Sequence, residues 1–172
     1  FDDLRGSCLR DTVEGNRIRY KYRIRIYNNS LKTIKMEVKE KYDSRVCKRS
    51  KSITEEEMQM LIHGECIENI LAKDDPATRF NLAIQTRGLR PEVIVTYERK
   101  AFVYEPGNVR ITLDRNIRSS KNVLKFGVPE ISYDFLEGQD EILEVKYDEF
   151  IPGFLLQLLQ IENMQQIAYS KY

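Results

Sequence analysis

Residues 17–28 read RIRYKYRIRIYN, and this stretch decides the fold. Arg17, Arg19, Lys21, Arg23 and Arg25 alternate with Ile18, Tyr20, Tyr22, Ile24 and Ile26. A period of two is the period of a β-strand, with cations on one face and apolar side chains on the other. Asn28-Asn29-Ser30 supplies a turn. Lys32 to Lys41 then alternates again, with Lys35, Glu37, Lys39 and Lys41 opposite Ile34, Met36 and Val38. Asp43-Ser44 is the next turn, and Arg45 to Ser52 is a third, more polar strand. The sequence predicts an antiparallel meander with one apolar and one ionic face.

Outward from the meander, Thr54-Glu55-Glu56-Glu57 is a capping box that opens a helix. Met58, Leu61, Ile62, Cys66, Ile70 and Leu71 continue at helical spacing, and Gly64 is expected to end one helix and start another. After Asp74-Asp75-Pro76, Ala77 to Thr86 predicts a further helix. Gly88 to Pro91 reads as a loop and Val93 to Tyr104 as a strand, with Tyr97 and Arg99 sharing a face. Glu105-Pro106-Gly107-Asn108 is a turn. Val109 to Asp114 returns as a strand carrying Arg110, Thr112 and Asp114 on one face, and residues 115–130 read as irregular. Glu141 to Tyr147 is the last strand, with Ile142, Glu144 and Lys146 on one face. Pro152 is expected in the first turn of a helix bearing Phe154, Leu155, Leu158 and Leu159.

Composition bounds the rest. A chain of 172 residues, 41% hydrophobic and 32% charged, fits one domain with a real core. The net charge of +1 conceals an asymmetry. Residues 1–51 hold 15 Lys and Arg against 7 Asp and Glu; residues 52–172 hold 13 against 20. Concentrated cations attract an anionic partner. No apolar run approaches the ~20 residues of a membrane-spanning helix. The chain opens on Phe1-Asp2-Asp3, with neither an initiator Met nor the pattern of a secretory leader, so residues upstream are expected. Cys8, Cys47 and Cys66 are an odd number of thiols without metal-ligand spacing, which suits a reducing, cytoplasmic compartment. His63 is the single histidine, and no nucleophile elbow accompanies it; it reads as a surface or capping residue.

A charged strand face is ordinarily the wet side of a half-buried sheet. Here five like charges follow one another on one strand face. Neighbours two residues apart lie ~7 Å from each other, inside the ~8 Å screening length of physiological salt. The later strands repeat the pattern of a charge between apolar residues. Strands of this kind close into an antiparallel barrel whose ionic faces point to a shared axis, with helices packed outside. Such a channel suits a polyanion, held by arginine forks and by a divalent metal on the interspersed carboxylates. Neither a Walker A motif nor GxGxxG is present.

Four stretches carry a family resemblance: Phe1-Asp2-Asp3; RYKYRIRIYN with MEVKEK; TYERKAFV with VRITLDRNI; and ILEVKYD followed by AYSKY. In order and spacing they resemble the polyphosphate polymerase domain of the vacuolar transporter chaperone (VTC) complex in its bacterial stand-alone form. That domain belongs to the triphosphate tunnel, or CYTH-like, superfamily. The resemblance spans the chain and implies a single α+β domain over residues 1–172, an antiparallel β-barrel tunnel with its N-terminal strand missing. It implies transfer of the ATP γ-phosphate to polyphosphate with Mn²⁺ or Mg²⁺. Carried over by position, Arg23, Arg25, Lys39, Arg99 and Arg110 are the catalytic cations. Lys48, Tyr97, Ser170 and Lys171 contact substrate, and Glu144 binds metal. Arg19, Lys21, Glu37 and Lys146 are assigned as lining residues by the face they occupy, with Glu37 a second carboxylate for metal. Ala168 stands where the eukaryotic pattern has a lysine. The implied partners are ATP and polyphosphate. A membrane-protein partner is compatible with the resemblance, although this chain is not itself a membrane span.

Three other readings fit parts of the sequence. A hydrolase of the same fold would use water as acceptor, but the Glu-x-Glu-x-Lys strand of such enzymes is not seen. A non-catalytic anion-binding module would regulate a partner. Nucleic-acid binding would need aromatic stacking platforms beside the cations; Tyr20 and Tyr22 fall on the other face, so no nucleic acid is expected.

Overall fold

The structure is a computed structural model, and it describes residues 1–68, 75–129, 131–135 and 141–160. The described residues fall into two units. One comprises Phe1–Ile94 with Ser120–Ser132; the other comprises Val95–Ser119 with the described residues from Tyr133 onward. Each is built on its own antiparallel sheet, so the fold is mixed α+β.

The first sheet is the predicted meander: β1 (Ile18–Tyr27), β2 (Ser30–Tyr42) and β3 (Arg45–Ile53), in that order. Asn28 and Asn29 both take left-handed backbone angles, φ 52° and 51°. That is the turn whose twist matches a two-residue hairpin, and Asn tolerates it better than any residue except Gly. β1 and β2 pair Lys21 with Lys39, Tyr22 with Val38 and Arg23 with Glu37. β2 and β3 pair Lys39 with Lys48 and Glu37 with Ser50. Partners across an antiparallel pair project to the same side. The apolar face therefore gathers Tyr22, Ile34, Met36 and Val38, all buried.

Three helices pack on that face and complete the core. In α2 (Glu55–Ile62) the capping box forms as expected: Glu57 N–H donates to Thr54 Oγ1 at 3.1 Å, and Thr54 N–H to Glu57 Oε2 at 2.8 Å. α2 presents Met58, Leu61 and Ile62 inward. His63 is its exposed C-cap. No second helix begins at Gly64: residues 65–68 are irregular, with Ile67 buried and held by Asn81 through two hydrogen bonds of 2.7 and 3.1 Å. Gly64 adopts φ 77°, which ends α2. Ile70, Leu71 and Asp74 lie outside the described residues. α3 (Pro76–Arg87) starts on Asp75, whose carboxylate accepts from Ala77 N–H at 2.8 Å. It buries Ala77, Phe80 and Ala83, and Phe80 meets Phe1 and Tyr22 edge-on, with ring centroids 5.3 and 5.2 Å apart.

A helix that the sequence reading does not assign, α1 (Ser7–Val13), supplies buried Cys8. Its first turn is capped from upstream. Asp2 accepts from Cys8 N–H (2.8 Å) and Leu9 N–H (3.0 Å), and Asp3 accepts from Ser7 N–H (3.0 Å). The three thiols are free; Cys8 is buried, Cys47 exposed and Cys66 half-buried.

The second sheet contains β4 (Ile94–Tyr104), β5 (Val109–Ser120), β6 (Asp134–Phe135) and β7 (Ile142–Lys146). β5 pairs with β4, β6 and β7. The β4–β5 connection is a short 3-10 turn, Pro106–Asn108, with Gly107 at φ 76°. A Cβ at Gly107 would lie 2.5 Å from the carbonyl oxygen of Phe150, so only glycine fits. β5 runs through Ser120, where an irregular stretch from residue 115 is expected. Asn116 takes φ 51° inside this strand and shifts the phase of the alternation, which hides its second half from a period-two reading. α4 (Gly153–Leu158) follows, with Pro152 at the cap position rather than inside the first turn. Among the described residues no helix is long and apolar enough to cross a membrane.

Candidate functional site

The register of the first sheet assembles one ionic face. Arg19, Lys21, Arg23 and Arg25 of β1 share it with Lys35, Glu37, Lys39 and Lys41 of β2 and Lys48 of β3. It therefore carries eight cations and one carboxylate. Lys21, Lys39 and Lys48 form one rung across the three strands. Burial lowers the Lys21 ammonium below its ordinary range, and repulsion from Lys39, Arg19 and Arg23 lowers it further. The face is thus electrostatically strained toward accepting an anion.

Glu37 sits at the centre of this face and is only 3% exposed. Its Oε2 accepts from Arg23 Nε and lies 3.9 Å from Arg25 Nη2, while Oε1 accepts from Lys48 Nζ at 2.8 Å. Burial pushes the Glu37 carboxyl up. The Lys48 hydrogen bond and the charges of Arg23 and Arg25 outweigh that, and the net shift is downward. Of the residues expected in this region, the structure brings Arg19, Lys21, Arg23, Arg25, Glu37, Lys39 and Lys48 to one side of one sheet.

The second sheet gathers a different set. β5 and β7 pair Arg110 with Lys146, Thr112 with Glu144 and Asp114 with Ile142. Arg99 of β4 reaches the same face, where it grips Asp114 in a fork: Nε to Oδ1 at 2.6 Å and Nη2 to Oδ2 at 2.7 Å. The Arg99 guanidinium carbon lies 5.2 Å from the centre of the Tyr97 ring. The hydrogen bonds to Asp114 raise the Arg99 pKa still further, against a smaller effect of burial. Glu144 is half-buried and pairs with Lys146 at 3.0 Å. Tyr97, Arg99, Arg110, Glu144 and Lys146, all expected on sequence grounds, therefore share one face. Ser170 and Lys171 lie outside the described residues.

Two residues of this face escaped the sequence reading as site candidates. Asp114 is completely buried. The hydroxyl of Thr112 is buried and has no hydrogen-bond partner among the described residues. Their signal was the Arg110-Thr112-Asp114 alternation itself, in which the cation drew attention and the two oxygen-bearing residues did not.

A divalent cation suits the oxygen donors present. Among the described residues no cluster of three or more His, Cys, Asp or Glu could cage one. Mg²⁺ and Mn²⁺ in phosphate chemistry need no such cage, since one or two carboxylates are completed by water and phosphate oxygens. The Glu144 carboxylate, opposite the orphaned Thr112 hydroxyl, meets that requirement. Glu37 already faces three cations, and a divalent ion there would add to their charge.

Tyr20 and Tyr22 lie on the apolar side, with Tyr22 in the core and its hydroxyl accepting from Arg87 at 2.8 Å. Tyr27, at the end of the same strand, is exposed instead, with its ring centre 5.9 Å from the Arg25 guanidinium carbon. No curated protein and no solved structure matches the chain. The family model of the VTC domain matches residues 1–172, the full length of the sequence, and the chain accordingly belongs to the VTC domain family.

Proposed function

We propose that the protein is a polyphosphate polymerase that transfers the γ-phosphoryl group of ATP to the end of a polyphosphate chain. Membership of the VTC domain family supports a polyphosphate-related role. The single observation that carries the reading furthest is the first sheet's ionic face, eight cations around one carboxylate. A solvated surface would gain nothing from that self-repulsion; a polyanion relieves it through charge-assisted hydrogen bonds. In this reading the ionic face of each sheet is a phosphate-binding surface.

The chemistry needs no protein nucleophile. A terminal oxygen of the acceptor chain attacks the γ-phosphorus in line. The bond from that phosphorus to the β–γ bridging oxygen breaks, and ADP leaves. The acceptor phosphate is largely ionised near neutral pH, so no strong general base is required, which agrees with a chain holding one histidine, an exposed helix cap. On the second sheet Arg99 and Arg110, and on the first Arg23, Arg25 and Lys39, are the cations that would bind phosphate oxygens and stabilise charge on them. Arg19, Lys21, Lys48, Tyr97 and Lys146 extend the binding surface. Glu144, with Thr112 beside it, would hold Mn²⁺ or Mg²⁺, which would offset the negative charge of the phosphates.

Incubation of the purified protein with ATP and Mn²⁺ tests the proposal. Long polyphosphate chains and ADP are the expected products. Orthophosphate alone, also released from tripolyphosphate, would identify a hydrolase. Tight binding of tripolyphosphate without turnover under Mn²⁺ or Mg²⁺ would identify a binding module.

A further inference from the structure

We propose that the two buried carboxylates of the ionic faces, Asp114 and Glu37, are positioning residues that fix the arginines for a phosphate chain. The inference rests on the reading of these faces as phosphate-binding, but it concerns residues that never touch the ligand.

Asp114 is wholly buried, whereas 32% of the Arg99 side chain is accessible. The ligand therefore meets the guanidinium and not the carboxylate. Asp114 engages Nε and Nη2, one long edge of the planar fork. The opposite edge, with Nη1 and the outer hydrogen of Nη2, is left to form the paired hydrogen bonds that match two phosphate oxygens. Tyr97 bounds the guanidinium from the side of its ring. An arginine held in this way loses little freedom on binding, so its interaction energy goes into orientation.

Glu37 repeats the device on the first sheet. It is 3% exposed, while the side chains of Arg23, Arg25 and Lys48 that converge on it are 31%, 21% and 48% accessible. One buried negative charge gathers three cations whose mutual repulsion would otherwise splay them. This assigns Glu37 to orientation rather than to metal binding.

Calorimetric titration with tripolyphosphate, on wild type and on two mutant cycles, tests the proposal. One cycle combines Asp114→Asn with Arg99→Ala; the other combines Glu37→Gln with Arg23→Ala. Contacting residues couple strongly, so Asp114→Asn is expected to weaken binding about 10-fold in wild type and less than about 2-fold when Arg99 is already alanine. The same pattern is expected for Glu37→Gln against Arg23→Ala. Equal losses in both backgrounds would overturn the assignment, because the carboxylate would then act without its arginine. Should Asp114→Asn fail to fold, Arg99→Lys keeps the charge and removes the fork; it is expected to weaken binding about as much, and wild-type affinity would overturn the proposal. A Glu37→Gln protein is expected to need the same Mn²⁺ concentration for half-maximal synthesis; a shifted requirement would return Glu37 to the metal. If wild type binds tripolyphosphate but makes no polymer, the polymerase reading falls and the mutant cycles still decide the positioning role. If it binds no tripolyphosphate, both fall.

Discussion

The two sheets share a strand pattern and differ in what lies on each side. The first sheet backs its ionic face with a dense apolar cluster running from Tyr22 and Met36 to Phe80 and Leu89. Among the described residues the second buries few large apolar groups, Ile94, Val109 and Ile117, and leaves Phe102, Val103 and Tyr104 exposed. Their ionic faces differ in kind as well. One is cationic around a single carboxylate; the other mixes Arg99, Arg110 and Lys146 with Asp114 and Glu144. A near-uniform cationic face holds a polyanion anywhere along it. Under the proposed function, a mixed face with paired groups would fix one phosphate and one metal in defined places. The first sheet thus carries the core and, under the proposed function, affinity; the second, under the same proposal, carries geometry.

That division can be broken most directly at Phe80. Phe80→Ala should cost about 3–5 kcal/mol in denaturant unfolding, as for other fully buried aromatics. A loss below about 1 kcal/mol would mean the cluster is not the core it resembles. Next in size are the cations. Arg99→Ala and Lys39→Ala should each lower polyphosphate synthesis by about 100-fold or more; the unfolding midpoint should hold in Lys39→Ala and fall in Arg99→Ala, which strips the buried Asp114 carboxylate of its fork. Near-normal turnover by Lys39→Ala would reduce the cationic face to a solvated surface.

Thr112 sharpens the comparison from the other side. Its buried hydroxyl lacks a partner among the described residues, so Thr112→Val should raise stability by about 1 kcal/mol. A simultaneous fall in activity would show that the hydroxyl is reserved for a ligand. The smallest effect concerns acid. Glu37 titrates below its ordinary value of 4.5 in the folded protein. Its contribution to stability is complete above that value and disappears as pH falls through the lower, folded one. Glu37→Gln should flatten this part of the unfolding-against-pH curve, and an unchanged curve would mean that the surrounding cations do not hold the carboxylate.

The sequence was most readable where local chemistry and tertiary packing agree. β1 and β2 followed from strict alternation, and α2 from its capping box, because each signal lies within the element it builds. α1 was not readable: Gly6 occupies its cap position without a side chain, and the caps come from Asp2 and Asp3 several residues earlier. The second half of β5 was lost at Asn116, where the backbone turns left-handed without ending the strand. At the site, alternation placed the cations on the correct faces. It could not show that Asp114 is wholly buried beneath Arg99, or that Glu37 draws in three partners. Those are facts of register between neighbouring strands, and one strand's pattern does not contain them.

The unequal thiols give the molecule a built-in handle. Burial, reinforced by nearby Asp2, pushes the Cys8 thiol to about 12, so it is almost wholly un-ionised at neutral pH. Cys47 is exposed on β3, pairs across the strands with Glu40, and so points away from the face that holds its neighbour Lys48. A maleimide dye will therefore attach at Cys47 ahead of Cys8, on the reverse side of the sheet from the ionic face, and leave that face unobstructed.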